Sequence, residues 1–131
     1  MTIQASISYG EFLDKLTILE IKKERIQDKD KLQNIQNELD SVIATWQNCP
    51  ASRADIKTEL AALKAINEKL WVIEDDIRDK ERQQCFDQGF IDLARSVYFE
   101  NDTRAKIKKD INLKLGSDLI EEKSYADYKT T

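Results

Sequence analysis

The side chains best equipped for chemistry are polar ones placed where a packed helix should be apolar. Asn101, Arg104 and Lys108 recur at three- and four-residue intervals and so share one helical face. Glu20 and Glu24 share a face of an earlier segment. A charge buried without a partner is costly, so these groups need either counter-charges or a wet cavity. Two arrangements satisfy that need. In the first, the groups close on each other as an ion-pair network that sets helix register. In the second, Glu20, Glu24, Asn101, Arg104 and Lys108 line a polar pocket between helices, with Arg104 and Lys108 clamping an anion. A set of four carboxylates, Glu20, Glu24, Asp76 and Asp79, would extend the second arrangement to Mg²⁺, provided both pairs face one cavity. Without that set, no cofactor is expected.

Composition narrows the chemistry further. The chain has no histidine, which removes the commonest general base and metal ligand. Its two cysteines, Cys49 and Cys85, lie far apart in sequence, which reads as two thiols in a reducing cytoplasm. Two cysteines without histidine disfavour a zinc site. The net charge of −4 argues against general nucleic-acid binding. The four basic residues of Arg104–Lys109 point to several faces, and the 74–82 charge run holds favourable i,i+4 pairs, Glu74–Arg78 and Asp76–Lys80. Both read as solvated helix surface. Apolar runs reach only four residues, as at Leu70–Ile73, far too short to cross a membrane. Met1–Ser8 has neither the basic region nor the apolar core of a signal peptide.

The elements that must position these groups are helices. Strong helix breakers occur only at Gly10, Pro50, Gly89 and Gly116, which leaves three long uninterrupted stretches. Ser8 caps the first, with Glu11 completing a capping box and Ile7 and Phe12 set for a hydrophobic staple. Phe12, Leu16, Leu19 and Ile26 form one stripe; Leu32, Ile35, Leu39, Val42 and Trp46 form another, pointing roughly 165° away at ~100° per residue. The reversal places a turn at Asp28–Lys31 and starts helix 2 near Asp30. The alternative is one helix from 9 to 47 that packs on both sides, which Ile18 and Ile21 favour. Ser52 caps helix 3, which carries Ile56, Leu60, Leu63, Ile66, Leu70, Ile73 and Ile77 and ends near Cys85. Asp87 caps helix 4, whose stripe runs Phe90, Leu93, Ala94, Val97, Ile111 and Leu115, with Gly116 as its C-terminal stop. Trp46 and Trp71 read as core residues. Tyr125 and Tyr128, in the tail, are placed to fold back on the bundle.

The pattern predicts a single all-α domain over 1–131: an antiparallel bundle of about four helices with coiled-coil-like seams and a short extended arm at residues 1–7. The arm alternates Ile3, Ala5 and Ile7 on one side, as a strand does. It reads either as a tethered arm or as a strand that pairs with its copy in a second subunit.

Three stretches carry a resemblance. They are residues 7–22 (Ile7-Ser8-Tyr9-Gly10-Glu11 through Ile21-Lys22), residues 74–82, and Ile111–Ser117 with Glu121–Tyr125. Together they resemble a family of uncharacterised small bacterial and phage proteins. That resemblance implies a bacterial or phage cytoplasmic protein and supplies no activity. The carboxylate pairs also partly resemble those with which all-α nucleotide pyrophosphatases hold magnesium. Here only Asp76-x-x-Asp79 has the matching spacing, since Glu20 and Glu24 are four apart. The functional expectation is therefore a self-associating protein-interaction module, a homodimer with a possible protein partner. The alternative is a small enzyme that uses a carboxylate-bound metal on a nucleotide or other phosphorylated substrate.

Overall fold

The computed structural model describes residues 1–128. It contains four α-helices: α1 (Tyr9–Arg25), α2 (Lys29–Gln47), α3 (Lys57–Arg82) and α4 (Gln88–Leu115). A single 3-10 turn, Pro50–Arg53, joins α2 to α3. Among the described residues there is no strand, and the arm at residues 1–7 has no regular element; its Ile3 is almost fully exposed.

Local chemistry sets most boundaries. Ser8 accepts a hydrogen bond from the Glu11 amide at 3.1 Å and so starts α1. The other half of the expected capping box goes elsewhere, because the Glu11 carboxylate takes the Lys108 ammonium. Ile7 is half-exposed, and Phe12 packs against Trp46 with ring centres 6.2 Å apart. The chain breaks where the stripe reverses. α1 ends at Arg25, and Asp28 caps α2 by accepting from the Lys31 amide. Helices 1 and 2 are therefore separate.

The start of α3 differs from expectation. Pro50 begins the 3-10 turn and Ser52 is consumed in it, donating its amide to the Cys49 carbonyl. α3 starts five residues later than Ser52, at Lys57, behind a buried Ile56. It ends at Arg82, short of Cys85, because Gln84 takes a positive φ of 53° that a helix cannot continue. Asp87 caps α4, and Gly116 closes it with φ 67°.

α3 and α4 run antiparallel as a long hairpin, pinned by Lys114–Glu59 at one end and Lys80–Asp87 at the other. α1 packs against α2, α3 and α4, and α2 rests on α1. One apolar core joins all four helices: Leu13, Leu16 and Leu19 of α1, Leu39 and Val42 of α2, Leu63 and Ile66 of α3, and Ile111 of α4. Trp46 packs against it with Tyr9 and Phe12. α1 comes close to α4 at Gly10, where a Cβ would lie 2.5 Å from the Lys108 carbonyl oxygen. Only glycine lets α1 meet α4 there.

α1 and α2 cover only part of the hairpin. At about 1.5 Å per residue, α3 and α4 are roughly 40 Å long and α1 about 26 Å. The buried residues of α3 lie between Leu63 and Ile73, and those of α4 between Lys108 and Asn112. Towards the other end, the same α4 stripe that buries Ile111 leaves Phe90, Leu93, Ala94 and Val97 only partly covered.

Candidate functional site

The polar groups of α4 find their partners mainly on α1, α3 and the segment after α4. Lys108 is nine-tenths buried and bonds Glu11 at 2.6 Å and Glu121 at 3.2 Å. Burial pushes its ammonium pKa down, but the Glu11 hydrogen bond, the Asp14 and Glu11 charges and Glu121 outweigh that and raise it. It is therefore a fixed cation at neutral pH and cannot serve as a general base there. Arg104 donates to Asn67 Oδ1 at 3.3 Å and has no carboxylate partner among the described residues. Asn67 is the hub of a buried cluster. Its Nδ2 donates to Asp14 Oδ1 at 2.8 Å and to Thr17 Oγ1 at 2.9 Å, and Thr17 donates in turn to the Asp14 carbonyl. Lower on α4, the Gly10 amide donates to Asn112 Oδ1 at 2.7 Å.

Asn101, Arg104 and Lys108 line one cleft of about 380 Å³, with Tyr98 and Asp102 also from α4. Lys123 and Tyr125, from the segment after α4, form its other wall. The cleft is cationic. Its one acid, Asp102, accepts from the Tyr128 hydroxyl, and that hydrogen bond is the main reason the phenol is pushed up to about 12. Tyr128 also packs on Tyr98 and Phe99, with ring centres 5.0 and 4.9 Å away, and so ties the tail to α4. Tyr128 thus folds back on the bundle, and Tyr125 borders the cleft while remaining largely exposed. On the other side of Asn101 and Arg104 lies a second cleft, between α1 and α3, bordered by Ile18, Trp71 and Glu74.

Glu20 and Glu24 lie elsewhere. They flank Lys64 of α3, at 3.8 and 2.5 Å, and border a groove with Leu16, Leu39 and Ile43. The Glu24 hydrogen bond is the first cause that raises the Lys64 pKa, against the lowering effect of its burial. The structure thus splits the five-residue pocket into Asn101, Arg104 and Lys108 on one side and Glu20 and Glu24 on another. The physical reason is the path of α1: its first two turns meet α4, while its last turns lie over Lys64 of α3. Asp79 pairs with Arg82 at 2.8 Å, and Asp76 is exposed. Among the described residues, no three cysteine, aspartate or glutamate side chains gather into a set able to hold a metal, so Glu20, Glu24, Asp76 and Asp79 are not brought to one cavity.

Asp14, Thr17, Asn67 and Asn112 were not singled out as candidates by the sequence. Asn67 carried a readable signal, since it follows Leu63 by four residues and precedes Leu70 by three, which puts it on the buried seam. Asp14 gave no such signal, because its burial depends on where α3 crosses.

This is a small helical bundle that carries a cation-lined cleft beside a buried amide–carboxylate cluster. The chain belongs to a family of unknown function (DUF6165), whose family model matches residues 3–131. No curated protein and no solved structure matches it. No described helix is long and apolar enough to cross a membrane.

Proposed function

We propose that this protein is a helical interaction module that docks a basic amphipathic helix of a partner protein on the uncovered end of the α3–α4 hairpin. The observation that carries the proposal is the change along a single stripe. Ile111 is fully buried under α1, whereas Phe90, Leu93, Ala94 and Val97 on the same face lack such cover. Phe86 packs edge-on against Phe90 with ring centres 5.1 Å apart and remains half-exposed, and Ile91 beside them is also half-exposed. A third helix laid there would complete the bundle as α1 does at the other end. Charge selects the partner. Residues 74–102 hold nine acidic and four basic side chains, a net −5 in a chain of net −4. An apolar ridge with an acidic rim suits a partner with basic flanks. A homodimer, expected from the sequence through its seams or its N-terminal arm, would set two acidic surfaces against each other if it formed through this end. We place the protein in a reducing cytoplasm, a reading supported by the free thiols of Cys49 and Cys85.

The test uses an 18-residue Leu/Lys amphipathic helical peptide as probe, with amide NMR shifts mapping its site. Saturable shifts should centre on Phe86, Phe90, Ile91 and Val97, weaken with added salt, and disappear in Ile91→Glu. Shifts centred elsewhere, or unchanged binding by Ile91→Glu, would refute the docking site. A stable dimer in light scattering that Ile91→Glu dissolves would show that a second copy is the occupant instead.

A further inference from the structure

We propose that the cleft between α4 and the tail is a binding site for a phosphate-bearing small molecule, which competes with the Glu121 carboxylate for two of the cations that line the cleft. The cleft borders the docking surface at Val97, but the proposal rests on a separate set of contacts.

From outside the lining, Glu121 bridges two ammonium groups that border the cleft. One carboxylate oxygen lies 3.2 Å from Lys108 and the other 3.0 Å from Lys123. These contacts hold its pKa below the usual carboxylate range, with Lys123 the first cause and Lys108 the next. The site therefore already stabilises an oxyanion between two cations. Lys108 and Lys123 are balanced by Glu11 and Glu121, and Asp102 is engaged by Tyr128. Arg104 is left over. Its one hydrogen bond among the described residues is to the neutral Asn67, and a guanidinium has five N–H donors in a planar fork suited to phosphate.

A phosphate differs from a carboxylate in carrying a third oxygen and, at neutral pH, close to a second negative charge. Such a group in the cleft would take Lys108 and Lys123 from Glu121 and meet Arg104 as well, since all three cations line it. The exchange needs only local movement. Glu121 belongs to a segment with no helix or strand, held near the cleft by ion pairs and by Tyr128. At about 380 Å³ the cleft lies within the ordinary range for small-molecule sites. Tyr98 and Tyr125 complete its walls.

The experiment is isothermal titration of inorganic phosphate and of AMP into the wild-type chain, Glu121→Gln and Arg104→Gln. Both probes carry the same chemistry. Tighter binding of AMP would identify an esterified ligand, and equal binding would identify free phosphate. Glu121→Gln removes the competing charge at nearly constant size and should bind about tenfold more tightly than wild type. Arg104→Gln should weaken binding at least tenfold. If Glu121 merely braces the fold, Glu121→Gln will bind no better than wild type, and that result overturns the proposal. So does the absence of binding at 10 mM probe in both wild type and Glu121→Gln, or unchanged binding in Arg104→Gln. Should Arg104→Gln fail to fold, the comparison of wild type with Glu121→Gln decides alone.

Discussion

Gly10→Ala isolates the contact that brings α1 onto α4. The added Cβ would sit 2.5 Å from the Lys108 carbonyl oxygen and 3.0 Å from its carbon. Both are backbone atoms of a helix and cannot swing aside, so the helices must separate. Overpacking of this kind costs about 1–3 kcal/mol. Separation also stretches the buried bond from the Gly10 amide to Asn112 Oδ1, now 2.7 Å long; leaving that amide unsatisfied adds roughly 1–3 kcal/mol. Against this, alanine gains up to about 1 kcal/mol over glycine in a helix, less in a first turn. The net expectation is a loss of about 2–4 kcal/mol. With a urea slope of roughly 1–3 kcal/mol per molar, the unfolding midpoint should fall by ~1–2 M at unchanged slope. Gly89→Ala is the control. Its Cβ would meet the flexible end of Lys80 and the Asp87 carboxylate at 3.2 Å, and it should change stability by less than about 1 kcal/mol. If Gly10→Ala raises the midpoint, glycine is there only at a propensity cost, and the close-approach argument fails.

Two further outcomes follow from the same geometry. Asn67→Leu strips the buried Asp14 carboxylate and Thr17 hydroxyl of their amide partner and should cost about 2–4 kcal/mol in urea unfolding; an unchanged midpoint would mean that water replaces the amide without penalty. Asp87 is held at about 2, first by the Phe90 amide and then by Lys80 and Cys85. Because its folded pKa lies below the ordinary 3.8, its stabilising effect is present above about pH 4 and is lost as pH falls towards 2. Asp87→Ala should therefore show a shallower loss of stability than wild type over that window, and parallel acid limbs would contradict the assignment.

Much of the fold was legible because helix signals are local. The reversal of the apolar stripe located the α1–α2 break without any glycine or proline there, and the structure puts the Asp28 cap at that point. Asp87 and Gly116 were readable for the same reason, since a cap depends on a few adjacent residues. Ser52 misled because two local signals competed: a good cap residue lay directly behind Pro50, and the 3-10 turn absorbed it. Glu11 misled differently. Its spacing from Ser8 suits a capping box, yet a buried ammonium 97 residues away is the stronger attraction for its carboxylate.

The site divides along the same line. Spacing alone determined that Asn101, Arg104 and Lys108 share a face, because a helix repeats every ~3.6 residues whatever surrounds it. Which acids would meet them was a tertiary matter. The crossing of α1 over the hairpin sent Glu20 and Glu24 to Lys64 and delivered Glu11 to Lys108. The return of the tail supplied Glu121, and α3 supplied Asn67, leaving Arg104 without a carboxylate among the described residues. Sequence thus determined the helices and the polar stripe on α4, since both depend on neighbours a few residues apart. Only the tertiary structure decided which acids balance the cations of that stripe, since that depends on helix crossings that local periodicity does not encode.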